Sequence, residues 1–104
     1  MSIRIYTTPT LKLDVPALIG DQRIYVSLKF ANGEMTFVTP DITATESHGY
    51  THIEVPLTQE QTTMFKVGET VEIEVNWYKN GKRGATDIAY TKVTNNLLKE
   101  IINE

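Results

Sequence analysis

Apolar and polar residues alternate with a period of two through five stretches of the chain. Leu11, Leu13 and Val15 alternate with Lys12 and Asp14, and Ile24, Val26, Leu28 and Phe30 alternate with Tyr25, Ser27 and Lys29. Ile53, Val55 and Leu57 follow the same rule, as do Val71, Ile73, Val75 and Trp77 against Glu72, Glu74, Asn76 and Tyr78. Ile3 and Ile5 make a short fifth run. Successive side chains of a strand point to opposite faces, so each stretch predicts a strand with one buried and one wetted face, as in antiparallel sheets. Pro9, Pro16, Pro40 and Pro56 fall at segment ends, where a missing N–H is tolerated.

Two Asn-Gly pairs punctuate the pattern, Asn32-Gly33 and Asn80-Gly81. Each predicts a type I′ hairpin, because that turn needs positive φ at both central residues. A two-residue turn at the first pair sets Phe30 opposite Met35 and Leu28 opposite Phe37, so apolar residues meet on one face. The second pair sets Val75 opposite Thr86, Ile73 opposite Ile88 and Val71 opposite Tyr90, which turns Ile88 and Tyr90 inward. It also opposes Glu74 and Asp87, an unfavourable like-charge pair, and a three-residue loop with a bulge would invert the phase. With an edge segment near Met35–Thr39 and a last strand, about seven strands are expected. They predict an all-β, immunoglobulin-like antiparallel β-sandwich, with a small barrel as the alternative. Thr39–Tyr50 carries no pattern that assigns it.

One stretch breaks the alternation: Leu57–Phe65, "LTQEQTTMF". Thr58 followed by Gln61 is a capping-box pattern, and Glu60 suits the positive end of a helix dipole. A short inter-sheet helix near 58–65 is therefore predicted, with Met64 and Phe65 closing the end of the sandwich and Gly68 allowing a tight exit. At the C-terminus, Leu97, Leu98, Ile101 and Ile102 recur at helical spacing behind Asn95 and Asn96, either of which can serve as N-cap. So short a helix must dock its apolar face, on its own sandwich or on a partner. These four aliphatics are the candidate partner contact. They would bring up to about 6–10 kcal/mol of gross burial to it.

Composition narrows the function classes. The chain of 104 residues is read as a single domain, 1–104, long enough to bury about 60–70% of its unfolded surface. A hydrophobic fraction of 40% and a charged fraction of 22% place it among globular chains and away from disorder. The net charge of −3, with acids and bases interspersed, argues against a nucleic-acid partner, which would want Lys and Arg clustered on one face. There is no cysteine, hence no disulfide and no thiolate metal site. The start "MSIRIYTTP" has no apolar signal region, and no apolar run approaches the ~18 residues of a membrane span, so a protein made in the cytoplasm and starting near Met1 is expected.

Catalytic and metal chemistry find little support. His48 and His52 have the i, i+4 spacing of a helical metal pair, but they lead into the alternating "HIEV", and strand residues four apart are about 13 Å apart. No metal or other cofactor is expected. Ser47-His48 lacks a strained nucleophile turn and an orienting acid. Glu54, Glu72 and Glu74 fall on solvent phases, and "NGKRG" at Asn80–Gly84 lacks the helix a phosphate loop would need. No enzymatic activity is expected. Tyr6, Tyr25, Tyr50 and Tyr78 could line an exposed face, and Tyr25 and Tyr78, on outward phases, are the candidate glycan contacts. Trp77 is read as core, packed over Gly84 across the second hairpin.

The order of segments carries a resemblance. "IRIYTTPTLKLDVP", "IEVPLTQEQTTMFKVGETVEIEVNWY", "NGKRGATDI" and the short apolar tail resemble a family of small phage and prophage proteins of Gram-positive bacteria. In that family an "IRIGTTPT" start, an "LTQEET…F" turn, a "VEIQVR" strand and a "VL…I" tail follow in the same order. Tyr6 stands where the family commonly has Gly, and Asn76 and Trp77 stand where Arg is often seen. The family is similar in setting to proteins encoded among tail and baseplate genes. The resemblance implies a non-enzymatic structural or assembly-accessory role, exercised through contacts with other tail or baseplate proteins or with further copies of itself, and possible presence in the virion. The alternative is a small carbohydrate- or cell-surface-binding module.

Overall fold

A computed structural model of the chain describes residues 2–20 and 22–103; Met1, Asp21 and Glu104 lie outside the described residues. The chain forms the strands β1 (Ser2–Arg4), β2 (Thr10–Val15), β3 (Ile24–Phe30), β4 (Gly33–Val38), β5 (Thr43–Ser47) and β6 (Tyr50–Pro56), of which β5 has no alternation in the sequence. After α1 (Gln59–Thr62) come β7 (Thr70–Lys79), β8 (Lys82–Ala85) and β9 (Ala89–Thr94). One sheet has the order β1-β9-β7-β3-β4 with β8 paired to β7, and the other has the order β2-β6-β5. The fold is an immunoglobulin-like β-sandwich with a short helix. In the immunoglobulin scheme β2, β6 and β5 take the places of strands B, E and D, while β9, β7, β3 and β4 take those of G, F, C and C′. The first strand runs parallel to the last, with Ile3 opposite Val93.

The core lies between the sheets, where the inward phase of each strand is removed from water. Leu11, Val15, Ile53 and Val55 of the smaller sheet face Ile24, Val26, Leu28, Val71, Ile73 and Val75 of the larger, all buried. Full burial of such a side chain stabilises by about 1.5–3 kcal/mol, which is why the period-two pattern determines the layers.

The stretch that breaks the alternation is structural. Thr58 caps α1 through its hydroxyl, which accepts from Gln61 N–H, and the Gln61 side chain accepts from Thr58 N–H. Thr62 is buried; its hydroxyl donates to Gln59 O and accepts from Tyr6 N–H, tying the helix to the end of β1. Phe65 is buried edge-on against Phe30, with ring centroids 4.7 Å apart. Met64, expected beside it, is half exposed, because the chain at Thr63–Phe65 is still turning and presents only one of the two neighbours to the core.

The hairpins depart from their expected registers in two ways. At the first, Leu28 pairs with Met35, Val26 with Phe37 and Phe30 with Gly33, a shift of two residues from the expected pairing. Tertiary partners override the local turn preference here: Ala31 N–H donates to Glu69 and the Asn32 side chain donates to Met64 O. The turn therefore rests on Ala31-Asn32. A shift of two keeps every side chain on its face.

The second hairpin has the expected I′ turn, with φ of 54° at Asn80 and 74° at Gly81, and Trp77 lies opposite Gly84. Beyond Thr86 the register slips by one: Ile73 pairs with Ala89, Glu72 with Tyr90 and Val71 with Thr91. Ile88 and Tyr90, expected inside, are exposed, while Thr91 and Val93 are buried. The extra residue acts as the bulge that inverts the phase. It separates Asp87 from Glu74, and Thr86 fills the break by taking Val75 N–H on its hydroxyl.

Candidate functional site

The outer face of the larger sheet carries the tyrosines. Tyr25 of β3 lies opposite Asn76 of β7, and Tyr78 of β7 lies opposite Arg83 of β8, so the four occupy neighbouring positions on one face. Both tyrosines are exposed, at 37% and 59%. With Ser27, Thr36 and the edge of Trp77 they line a shallow groove of about 360 Å³. Arg83 donates through Nε and Nη2 to Asn76 Oδ1 at 3.3 and 3.2 Å, and Asn76 Nδ2 donates to Glu74 Oε1 at 2.8 Å. Ser27 and Thr36 hydroxyls face each other at 3.4 Å. Two exposed tyrosines thus border two hydrogen-bonded sets of polar side chains, Arg83–Asn76–Glu74 and Ser27–Thr36.

The sequence singled out the two tyrosines but not Asn76 or Arg83. Asn76 was legible as an outward residue of β7, whereas Arg83 joins the groove only through the I′ register of the hairpin. Of the remaining three tyrosines, Tyr90 is exposed on β9 of the same sheet, and Tyr6 and Tyr50 lie elsewhere. Tyr6 packs against the core, and Tyr50 on β6 of the smaller sheet stacks on His52 with centroids 6.3 Å apart.

The histidines are separated in role as well as in space. His48, with φ of 53°, and Gly49, with φ of 83°, form a third tight turn between β5 and β6, and His48 Nδ1 lies 2.6 Å from Ser47 Oγ. His52 Nδ1 lies 2.6 Å from Asp14 Oδ1 on the exposed face of the smaller sheet. Among the described residues no three His, Cys, Asp or Glu gather as a metal site would require. No helix among them is long and apolar enough to cross a membrane.

The C-terminal segment is not the expected helix. Residues 95–103 have no regular secondary structure. Asn95 and Asn96 spend their side chains on nearby backbone, Asn96 N–H bonding to Asn95 Oδ1 and Asn96 Nδ2 to Leu98 O. Such local bonds compete with a helix too short to stand alone. The segment is clasped instead by side chains of the sandwich: Arg4 Nε donates to Asn95 O at 3.3 Å, Gln59 Nε2 donates to Ile102 O at 2.7 Å and Gln59 Oε1 accepts from Ile102 N–H at 2.8 Å. Leu97 is 98% exposed, Leu98 and Ile102 are about half exposed, and Ile101 is partly covered.

No protein-family model matches the chain, and no curated protein matches it.

Proposed function

We propose that this protein is a non-enzymatic structural or assembly-accessory component of the tail or baseplate region of a phage or prophage, acting through protein–protein contacts. The observation that carries the reading is the C-terminal segment. Leu97 is almost fully exposed and Leu98 and Ile102 are about half exposed on a strip of chain without regular structure, and a leucine or isoleucine gains up to about 1.5–3 kcal/mol when fully buried. A neighbouring tail protein or a second copy of this chain would provide that burial. The resemblance of segment order supports the setting. So does Tyr6, whose φ of 61° is the conformation glycine adopts freely, at the position where the resembling family commonly has glycine.

The protein is then made in the bacterial cytoplasm and incorporated during assembly. Mass spectrometry of purified induced particles tests this: the chain should occur at fixed copy number in tails. A Leu98→Ser/Ile101→Ser double variant should keep the fold and lose association with tail components. Absence from particles, together with unchanged association of the variant, refutes the reading. The Tyr25–Tyr78 groove favours the alternative reading, a small carbohydrate- or cell-surface-binding module.

A further inference from the structure

We propose that the groove between Tyr25 and Tyr78 is a binding site for a neutral saccharide of one or two rings, resting on the carbohydrate reading of that groove. A pyranose has one face of C–H groups and a rim of hydroxyls that both donate and accept. The site offers the complement of each. Tyr25 and Tyr78, at diagonal positions on β3 and β7, supply exposed aromatic surface, while Asn76 and Arg83 on one side and Ser27 and Thr36 on the other supply donors and acceptors. A few placed polar groups among aromatic walls is the usual construction of a small-molecule site, and a volume of about 360 Å³ falls at the small end of such sites.

The charge arrangement selects the ligand class. Among the described residues, Arg83 is the only charged one lining the groove. Its Nε and Nη2 are already turned onto Asn76 Oδ1, and the same amide passes through Nδ2 to the carboxylate of Glu74. Glu74 therefore partly balances the cation through one row of hydrogen bonds, which leaves the groove little net charge with which to favour an anionic sugar over a neutral one. The hydroxyls of a neutral sugar can bond at the second hydrogen of Asn76 Nδ2 and, separately, at the Ser27–Thr36 pair. The row also fixes Asn76 and Arg83 before a ligand arrives, so less ordering is left to binding.

The test uses the whole chain against immobilised neutral hexose and N-acetylhexosamine oligomers, with sialylated, uronic-acid and phosphate-bearing glycans alongside. The best neutral glycan is then titrated in solution. Trp77, the only tryptophan, borders the groove and reports occupancy by its emission. Saturable binding of a neutral glycan is expected, with affinity about tenfold lower in Tyr78→Ala and in Arg83→Met and unchanged in Tyr50→Ala on the other sheet. Tyr78 and Arg83 are exposed, so both variants should melt near the parent temperature. Binding only of anionic glycans, still sensitive to Tyr78→Ala, overturns the neutral class and leaves the carbohydrate reading standing. Saturable binding of none of them, or binding indifferent to both groove variants, overturns both.

Discussion

Gly84 offers a sharp test of how the second hairpin is packed. A Cβ built at this position would lie 2.3 Å from Cε2 of Trp77 and 2.5 Å from its Cζ2 and Nε1. Carbon atoms in contact sit about 3.5–4.0 Å apart, so a Gly84→Ala chain must push the indole aside by roughly 1 Å or lift β8 from β7. Overpacking of this kind costs about 1–3 kcal/mol. A smaller effect opposes it. The φ of Gly84 lies outside the positive region, so alanine fits the backbone and stabilises by about 0.4–1 kcal/mol through the unfolded chain. The clash outweighs that gain, and a net loss of about 1–2 kcal/mol follows. In a chain of this size that lowers Tm by about 4–15 °C.

The assay is urea and thermal denaturation followed by far-UV circular dichroism, which remains usable when the only tryptophan is removed. In a Trp77→Leu background the clash has no partner, and Gly84→Ala should become neutral or stabilising, giving a coupling energy of about 1–3 kcal/mol in the double-mutant cycle. A Gly84→Ala protein as stable as the parent, or an equal penalty in both backgrounds, would refute the packing argument.

Two further outcomes follow from single hydrogen-bonded side chains. Thr62→Val keeps shape but leaves Tyr6 N–H without its acceptor, so about 1–3 kcal/mol should be lost in denaturation, and Thr62→Ser, which keeps the oxygen, should lose less. Gln59→Leu removes the clasp on Ile102; global stability should stay within about 0.5 kcal/mol while amide hydrogen exchange at Ile102 accelerates, and unchanged exchange would show that the tail is held otherwise.

The layers of the fold were legible because burial enforces period two: Val71, Ile73 and Val75 could face only inward. The capping box at Thr58 and Gln61 was legible for a local reason, since both partners lie within one turn. Strand β5 was not. Thr43–Ser47 is exposed at every residue, so no hydrophobic alternation marks it, and it exists because its backbone pairs with β6. The turn that delivers it, His48-Gly49, uses a histidine in a conformation more often given to asparagine. The Asn32-Gly33 register failed because Glu69 and Met64, more than thirty residues away, hold Ala31 and Asn32. Long-range contacts of that kind leave no local trace.

The slip in β9 has the largest effect on surface character. Had Ile73 faced Ile88, the outer face of that strand would have presented Asp87, Ala89 and Thr91. One extra residue instead places Ile88 and Tyr90 outside, at 45% and 62% exposure, on the sheet that already carries Tyr25 and Tyr78. The outer face of the smaller sheet carries Lys12, Asp14, Glu54, His52 and Tyr50, with the His52–Asp14 contact between β2 and β6. A bulge that relieves one like-charge pair and buries Val93 beside Ile3 thus also adds Ile88 and Tyr90 to an outer face that carries Tyr25 and Tyr78 among Lys29, Glu34, Glu72 and Glu74. The apolar tail leaves from that same strand β9. Ligand and partner contacts are therefore to be sought first on the β3–β7–β9 surface and along the tail, where exposed apolar area is concentrated.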